Sequence, residues 1–171
     1  MGKIEQPMGK LFLTVLLATS LLSCSTSPKI KDAEALGKEI FNLFKNGEKD
    51  KIVNYLVTKE EMRKAFDADK EFAHFSETQK DEFINSSYQQ TEKFGMGFIN
   101  LYTDKSSKET LALQKGVLEK VSSYPKNEKG PPAVRIEVQF AADGEKYFLL
   151  LDAAKIDDYW KLLSWIEVRK V

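Results

Sequence analysis

Residues 134–154 read VRIEVQFAADGEKYFLLLDAA, two alternating runs on either side of Asp143-Gly144. Asp-Gly is a strong two-residue hairpin signal, because the tight turns that match strand twist need positive φ at their centre. With these two residues in the turn, Phe140 lies opposite Tyr147, Val138 opposite Leu149, Ile136 opposite Leu151 and Val134 opposite Ala153. That side is continuously apolar. The other side pairs Gln139 with Phe148, Glu137 with Leu150, and Arg135 with Asp152, a cross-strand pair of opposite charge. A second turn at Asp157-Asp158 extends the alternation into a last strand, with Ala153 opposite Leu162, Leu149 opposite Ile166 and Tyr147 opposite Val168. Residues 116–123 supply a first strand. Residues 124–132, which hold Pro125, Gly130, Pro131 and Pro132, are expected as a loop.

Upstream the period changes from two to between three and four. Leu36, Ile40, Leu43 and Phe44 follow Asp32, a capping residue, and Asn46-Gly47 closes that helix. Residues 51–56 suggest a short second helix. Thr58-Lys59-Glu60-Glu61 has capping-box order before Met62 and Phe66, and Ser76-Glu77-Thr78-Gln79 repeats that order before the longest helix. There Phe83, Ser87, Thr91, Phe94, Phe98 and Tyr102 predict the face that meets the sheet. Gly95 and Gly97 inside it suggest a kink or a close backbone approach. The change from helix to strand falls between Thr103 and Glu109. The expected fold class is α+β, with N-terminal helices packed on a four-stranded, antiparallel, curved sheet.

The chain has 171 residues, with 26 Lys and Arg against 26 Asp and Glu. That length suits one domain, and balanced charge lacks the basic footprint of a nucleic-acid binder. One Cys cannot form an internal disulfide, and one His with one Cys does not assemble a zinc site. Gly95-Met96-Gly97 lacks the third glycine and the preceding strand of a phosphate-binding loop. No metal and no cofactor is expected.

Lys3 and Lys10 precede the apolar run from Leu11 to Leu22, which is shorter than the roughly 20 residues needed to cross a bilayer core. It is read as a cleaved export segment. Directly after it, Leu21-Leu22-Ser23-Cys24 resembles the lipobox of bacterial lipoproteins, with Leu22 bulkier than usual at its position. The resemblance implies that Cys24 becomes the mature N-terminus, carries a diacylglyceryl group on sulfur and often a third, palmitoyl-like chain on its amine. Two or three such chains hold a protein stably at a bilayer, where one is marginal. Cleavage removes Lys3, Glu5 and Lys10, so the remainder has one more acidic than basic side chain. Ser25, where some bacteria read a sorting cue, is compatible with an outer-membrane, periplasm-facing location in the cell envelope. The expected organisation is therefore a signal peptide at 1–23, lipidated Cys24 with a tether through 31, and one domain at 32–171.

Residues 40–50, IFNLFKNGEKD, and 159–166, YWKLLSWI, joined to the order of helices then a four-stranded meander, resemble the cystatin-like cone domains that include ketosteroid isomerases and nuclear transport factor two. That architecture hosts isomerases, dehydratases, hydrolases and inert binding modules, so it does not settle function. The resemblance implies a cone interior in which an enzyme would carry a carboxylate. The expected core face of the last three strands offers neither carboxylate nor imidazole. Tyr88, Tyr102 and Tyr147 are the candidates for lining a small pocket, against the simpler role of core aromatics. His74, between Phe72 and Phe75, is the remaining acid–base candidate, against a surface or capping role. No catalytic residue is assigned.

The opposite sheet face is expected to gather Phe148, Leu150, Leu163 and Trp165, with Leu150 opposite Trp165. A solvated antiparallel sheet is polar there, so these four form a candidate interaction surface. Its cover is a second copy of the chain, an envelope protein partner, or the tether and the 124–132 loop folding back. The function expected is a membrane-anchored, non-enzymatic binding domain. The alternative is an envelope enzyme using the cone as a pocket.

Overall fold

The computed structural model describes residues 28–126 and 131–171. The expected signal peptide, Cys24 and residues 25–27 of the expected tether lie outside the described residues. Five helices precede four strands: α1 (Ala33–Asn46), α2 (Lys49–Ile52), α3 (Lys59–Ala68), α4 (Glu77–Thr103), α5 (Lys108–Lys115), β1 (Val117–Lys126), β2 (Ala133–Ala142), β3 (Glu145–Ile156) and β4 (Tyr159–Lys170). The strands form one open antiparallel sheet in the order β1-β2-β3-β4. The expected α+β class holds.

The caps fall where the sequence puts them. Asp32 accepts the N–H of Ala35 at 2.7 Å, and Gly47, at φ 70°, ends α1 in the left-handed region. Both capping boxes are complete, at Thr58 with Glu61 and at Ser76 with Gln79. The stretch expected as a second helix is α2 followed by a single 3₁₀ turn at Val53–Tyr55. Gly37 lets α1 approach the sheet, since a Cβ there would stand 2.5 Å from Cγ2 of Ile136.

The β2–β3 hairpin has the predicted register throughout, and Asp143 and Gly144 both take positive φ. Three expectations are corrected. The first concerns β4. Ala153 faces Leu162 as expected, but Leu151 faces Ile166, so Leu149 meets Val168 and Tyr147 meets Lys170. Asp152 is spanned by Leu163, Ser164 and Trp165. The slip is of two residues, an even number, so Ile166 and Val168 stay on the buried face; a slip of one would have turned the strand over. The second concerns β1, which continues through Pro125 to Lys126 where a loop was expected. Proline is admissible there because β1 is an edge strand with one side unpaired. The third is α5, an extra helix started by Ser107, whose hydroxyl accepts the N–H of Thr110 at 3.0 Å.

One core joins α1, α4 and α5 to the inner face of the sheet. Leu36, Ile40, Phe44, Ile99, Leu113, Ile136, Val138, Phe140, Leu149, Leu151, Leu162 and Ile166 have no exposure. Helix α4 meets the core on a face that shares Thr91, Phe98 and Tyr102 with the one expected but is turned by about one residue. Ile84, Thr91, Gly95, Ile99 and Tyr102 point inward, while Phe83 and Phe94 are 45% and 53% exposed. Gly95 is the close approach, as a Cβ there would lie 3.0 Å from Leu56. Gly97 meets nothing.

A second, smaller apolar cluster covers the other sheet face, where Val57 packs with Ala154 and Ile156, joined by Met62 and Ala65 of α3 and by Leu163. Edge strand β4 is also protected along its outer side. Trp160 N–H donates to the Ile30 carbonyl at 2.7 Å, and Val57 N–H donates to the Leu162 carbonyl at 3.0 Å. Val168 N–H donates to the Tyr102 hydroxyl at 3.1 Å. Such pairing removes the bare edge that would template association. Ile30 is therefore part of the folded body, within the span through 31 that was expected as tether.

Candidate functional site

The inner face of the sheet was the expected place for chemistry, and apolar side chains fill it. Among the described residues, the buried polar or charged side chains are Thr91, Thr110, Asp152 and Lys161. Asp152 lies on the outer face, where Arg135 donates to both of its oxygens at 2.9 and 3.1 Å and Lys126 donates at 2.8 Å. The hydrogen bond to Asp152 raises the already high pKa of the Arg135 guanidinium, against the opposing effect of burial. Lys161 lies under α3 beside Glu61 at 3.0 Å. Both charges are accounted for by ion pairs that hold the fold together.

The three candidate tyrosines are dispersed. Tyr102 is buried, with its hydroxyl occupied by Val168 N–H; burial raises its pKa, and the Val168 contact opposes that shift. Tyr147 stacks on Phe140 at 5.4 Å between ring centres. Tyr88 stands fourteen residues before Tyr102 on the same helix, or about 21 Å along its axis. It lines a shallow depression of about 280 Å³ with Val53, Leu56 and Met96, and its hydroxyl donates to Glu92 at 3.5 Å. Burial, then the Glu92 charge, raises the pKa of that phenol. His74 is exposed, its ring edge-on to Phe75 at 4.7 Å. The depression at Tyr88 is lined by none of the other three.

The expected apolar group on the outer sheet face is also divided. Leu163 is held in the cluster beneath α3. Leu150 is buried, with Glu137 and Glu167 as its strand partners, and half-buried Phe148 has Gln139 and Arg169. Leu150 is not opposite Trp165, because the two-residue slip moves Trp165 along β4. Trp165 lies in the irregular stretch of β4 opposite Asp152, and its ring is 5.7 Å from that of Phe98 on α4.

Between α4 and β4 runs a groove of about 440 Å³, lined by Ser87, Gln90, Thr91, Phe94, Phe98, Ser164 and Trp165. Trp165 and Phe94 are 43% and 53% exposed. Aromatic contacts carry the groove inward, from Trp165 to Phe98, from Phe98 to Tyr102 at 6.5 Å, and from Tyr102 to Phe44 at 6.3 Å. The groove is thereby braced by the core. No charged side chain lines it, in a chain that is 30% charged. The arrangement offers flat apolar rings, hydroxyls and one amide. It can hold a neutral group with an apolar face, and it presents no paired nucleophile and base.

A larger open depression of about 600 Å³ lies at the end of the sheet near the β3–β4 turn, lined by Lys64, Lys70, Lys155, Asp69, Asp157 and neighbouring prolines and alanines. Its cations and carboxylates are interspersed. Sequence reasoning placed Phe94 as well as Phe98 against the sheet, which holds for Phe98 alone, and so missed the groove. The available signal was Ile84, Gly95 and Ile99, each one position on from Phe83, Phe94 and Phe98, with a glycine that only a close approach explains.

The chain matches no protein-family model, and neither the curated proteins nor the solved structures offer a match.

Proposed function

We propose that the protein is a lipid-anchored, non-enzymatic binding domain of the bacterial cell envelope, held at the membrane by acylated Cys24 and using the α4–β4 groove to receive a partner or a neutral small ligand. The observation that carries the binding part is the contrast between a filled interior and an exposed aromatic groove. A pocket enzyme needs space and an acid or base within hydrogen-bond reach of substrate, and the inner face of this sheet supplies neither among the described residues. The anchor rests on Lys3, Lys10, the short apolar run and Leu21-Leu22-Ser23-Cys24. No helix among the described residues is long and apolar enough to cross a membrane. Ser25 favours the outer membrane, with the domain facing the periplasm.

The groove is tested in intact cells with a photocrosslinking amino acid at Phe94, compared with one at Leu111, which is 43% exposed on α5. Aromatic anchors in a partly desolvated groove dominate the energy of such contacts. A discrete adduct from position 94 that is absent from position 111 is the expected result. No adduct at 94, or equal adducts at both, removes the groove as the binding surface.

A further inference from the structure

We propose that the bilayer faces one defined end of the sheet, the end formed by the β3–β4 turn at Asp157-Asp158, with the opposite β2–β3 turn held away from the lipid. The inference rests on the Cys24 anchor proposed above and adds the orientation of the domain upon it. Its basis is the place where the chain enters the folded body. Ile30 pairs with Trp160, its carbonyl accepting the Trp160 N–H at 2.7 Å, and Trp160 pairs in turn with Lys155 beside the Asp157-Asp158 turn.

From Cys24 to Ile30 is six residue steps, which reach about 20–22 Å when fully extended. Strand β3 has twelve residues, and at about 3.3 Å each its ends stand some 36 Å apart. The leash is therefore shorter than the sheet is long. It permits the near end to touch the headgroups but cannot let the far end do so while the domain stands on its anchor.

The side chains at the near end suit that position. Lys29 and Lys31 place their ammonium groups 5.5 and 5.9 Å from the centre of the Tyr159 ring. Lys64, Lys70 and Lys155 line the adjoining depression, with Asp69 and Asp157 among them. Tyrosine, tryptophan and lysine are the residues that settle at the boundary between headgroups and water. Trp165 lies opposite Asp152, four residues from Ile156, the strand partner of Tyr159, so the groove opens about 13 Å above the membrane-facing end. It is thereby presented to the aqueous side, clear of the lipid.

The test uses the processed, full-length protein reconstituted in vesicles of phosphatidylethanolamine and phosphatidylglycerol. Acylation blocks Cys24, the chain's sole cysteine, so a cysteine introduced by Asp158→Cys or by Glu145→Cys carries a fluorophore alone. Both positions are exposed, one at each end of the sheet. With a quencher on the lipid headgroups, quenching severalfold stronger at 158 than at 145 is the expected result. Equal quenching, or stronger quenching at 145, in protein that floats with the vesicles overturns the orientation and leaves the anchor standing. Protein that does not float and whose mass shows no acyl group at Cys24 overturns both.

Discussion

Tyr55 is buried and donates its hydroxyl to Glu39 at 3.2 Å. Burial, reinforced by the Glu39 charge, pushes the phenol up to about 12, against about 10 in an unfolded chain. The folded state thus favours the protonated ring. Its contribution is complete below pH 10 and is lost as pH rises toward 12. Tyr55→Phe should flatten the fall in stability across that window by about 2 kcal/mol relative to the parent, as read by urea denaturation at a series of pH values. At Tyr102 the hydroxyl is an acceptor for a buried backbone donor, so Tyr102→Phe orphans Val168 N–H and should cost about 1–3 kcal/mol. Tyr88→Phe touches only an exposed, long contact and should stay within about 0.5 kcal/mol; equal losses at both positions would show that the hydroxyl of Tyr102 is not the reason. What the sequence disclosed at this scale was residue type. Burial of Tyr102 followed from helical spacing, but its partner is sixty-six positions away, and nothing local marks such a contact.

Helix α3 is docked by a carboxylate with two tasks. Glu61 accepts Thr58 N–H at 2.8 Å to complete the capping box, and its other oxygen lies 3.0 Å from the ammonium of Lys161. Beyond that carboxylate no acceptor reaches Lys161 Nζ among the described residues. Glu61→Gln keeps an oxygen for the cap but leaves a buried cation unpaired. It should cost about 3 kcal/mol, the lower end for breaking a buried pair, because Glu61 retains contact with water. Glu60→Gln, which breaks the exposed pair with Lys64, should change stability by less than about 1 kcal/mol in the same thermal melts. Both capping boxes and the Asp143-Gly144 hairpin were legible because each is written in adjacent residues. Helix α5 was not, since eight residues are too few to be helical alone and depend on packing; Ala112 and Leu113 join the core. The β4 slip was hidden for another reason. Alternation is unchanged by a shift of two, so the apolar pattern cannot distinguish Leu149 opposite Ile166 from Leu149 opposite Val168.

At the scale of the whole molecule, α1, α4 and α5 fill the inner side of the sheet, α3 packs on the other side, and the α4–β4 groove is left at the surface. The α+β class and the apolar inner face were readable from periodicity alone. The groove was not, because it depends on the rotation of α4 about its axis and on the β4 slip acting together to bring Phe94, Phe98 and Trp165 to one surface. In the anchoring proposed above, entry of the chain through Ile30 limits how far that surface stands from the lipid. The central claim is that Cys24 provides the hold. Its most direct test is the intact mass of the chain purified from the membrane fraction of the bacterium that makes it. The account predicts a polypeptide beginning at Cys24 and heavier than its sequence by a diacylglyceryl group, with or without a further acyl chain, and loss of that mass in Cys24→Ala. An unmodified N-terminus at that position, or a chain that keeps residues 1–23 in the soluble fraction, would contradict it.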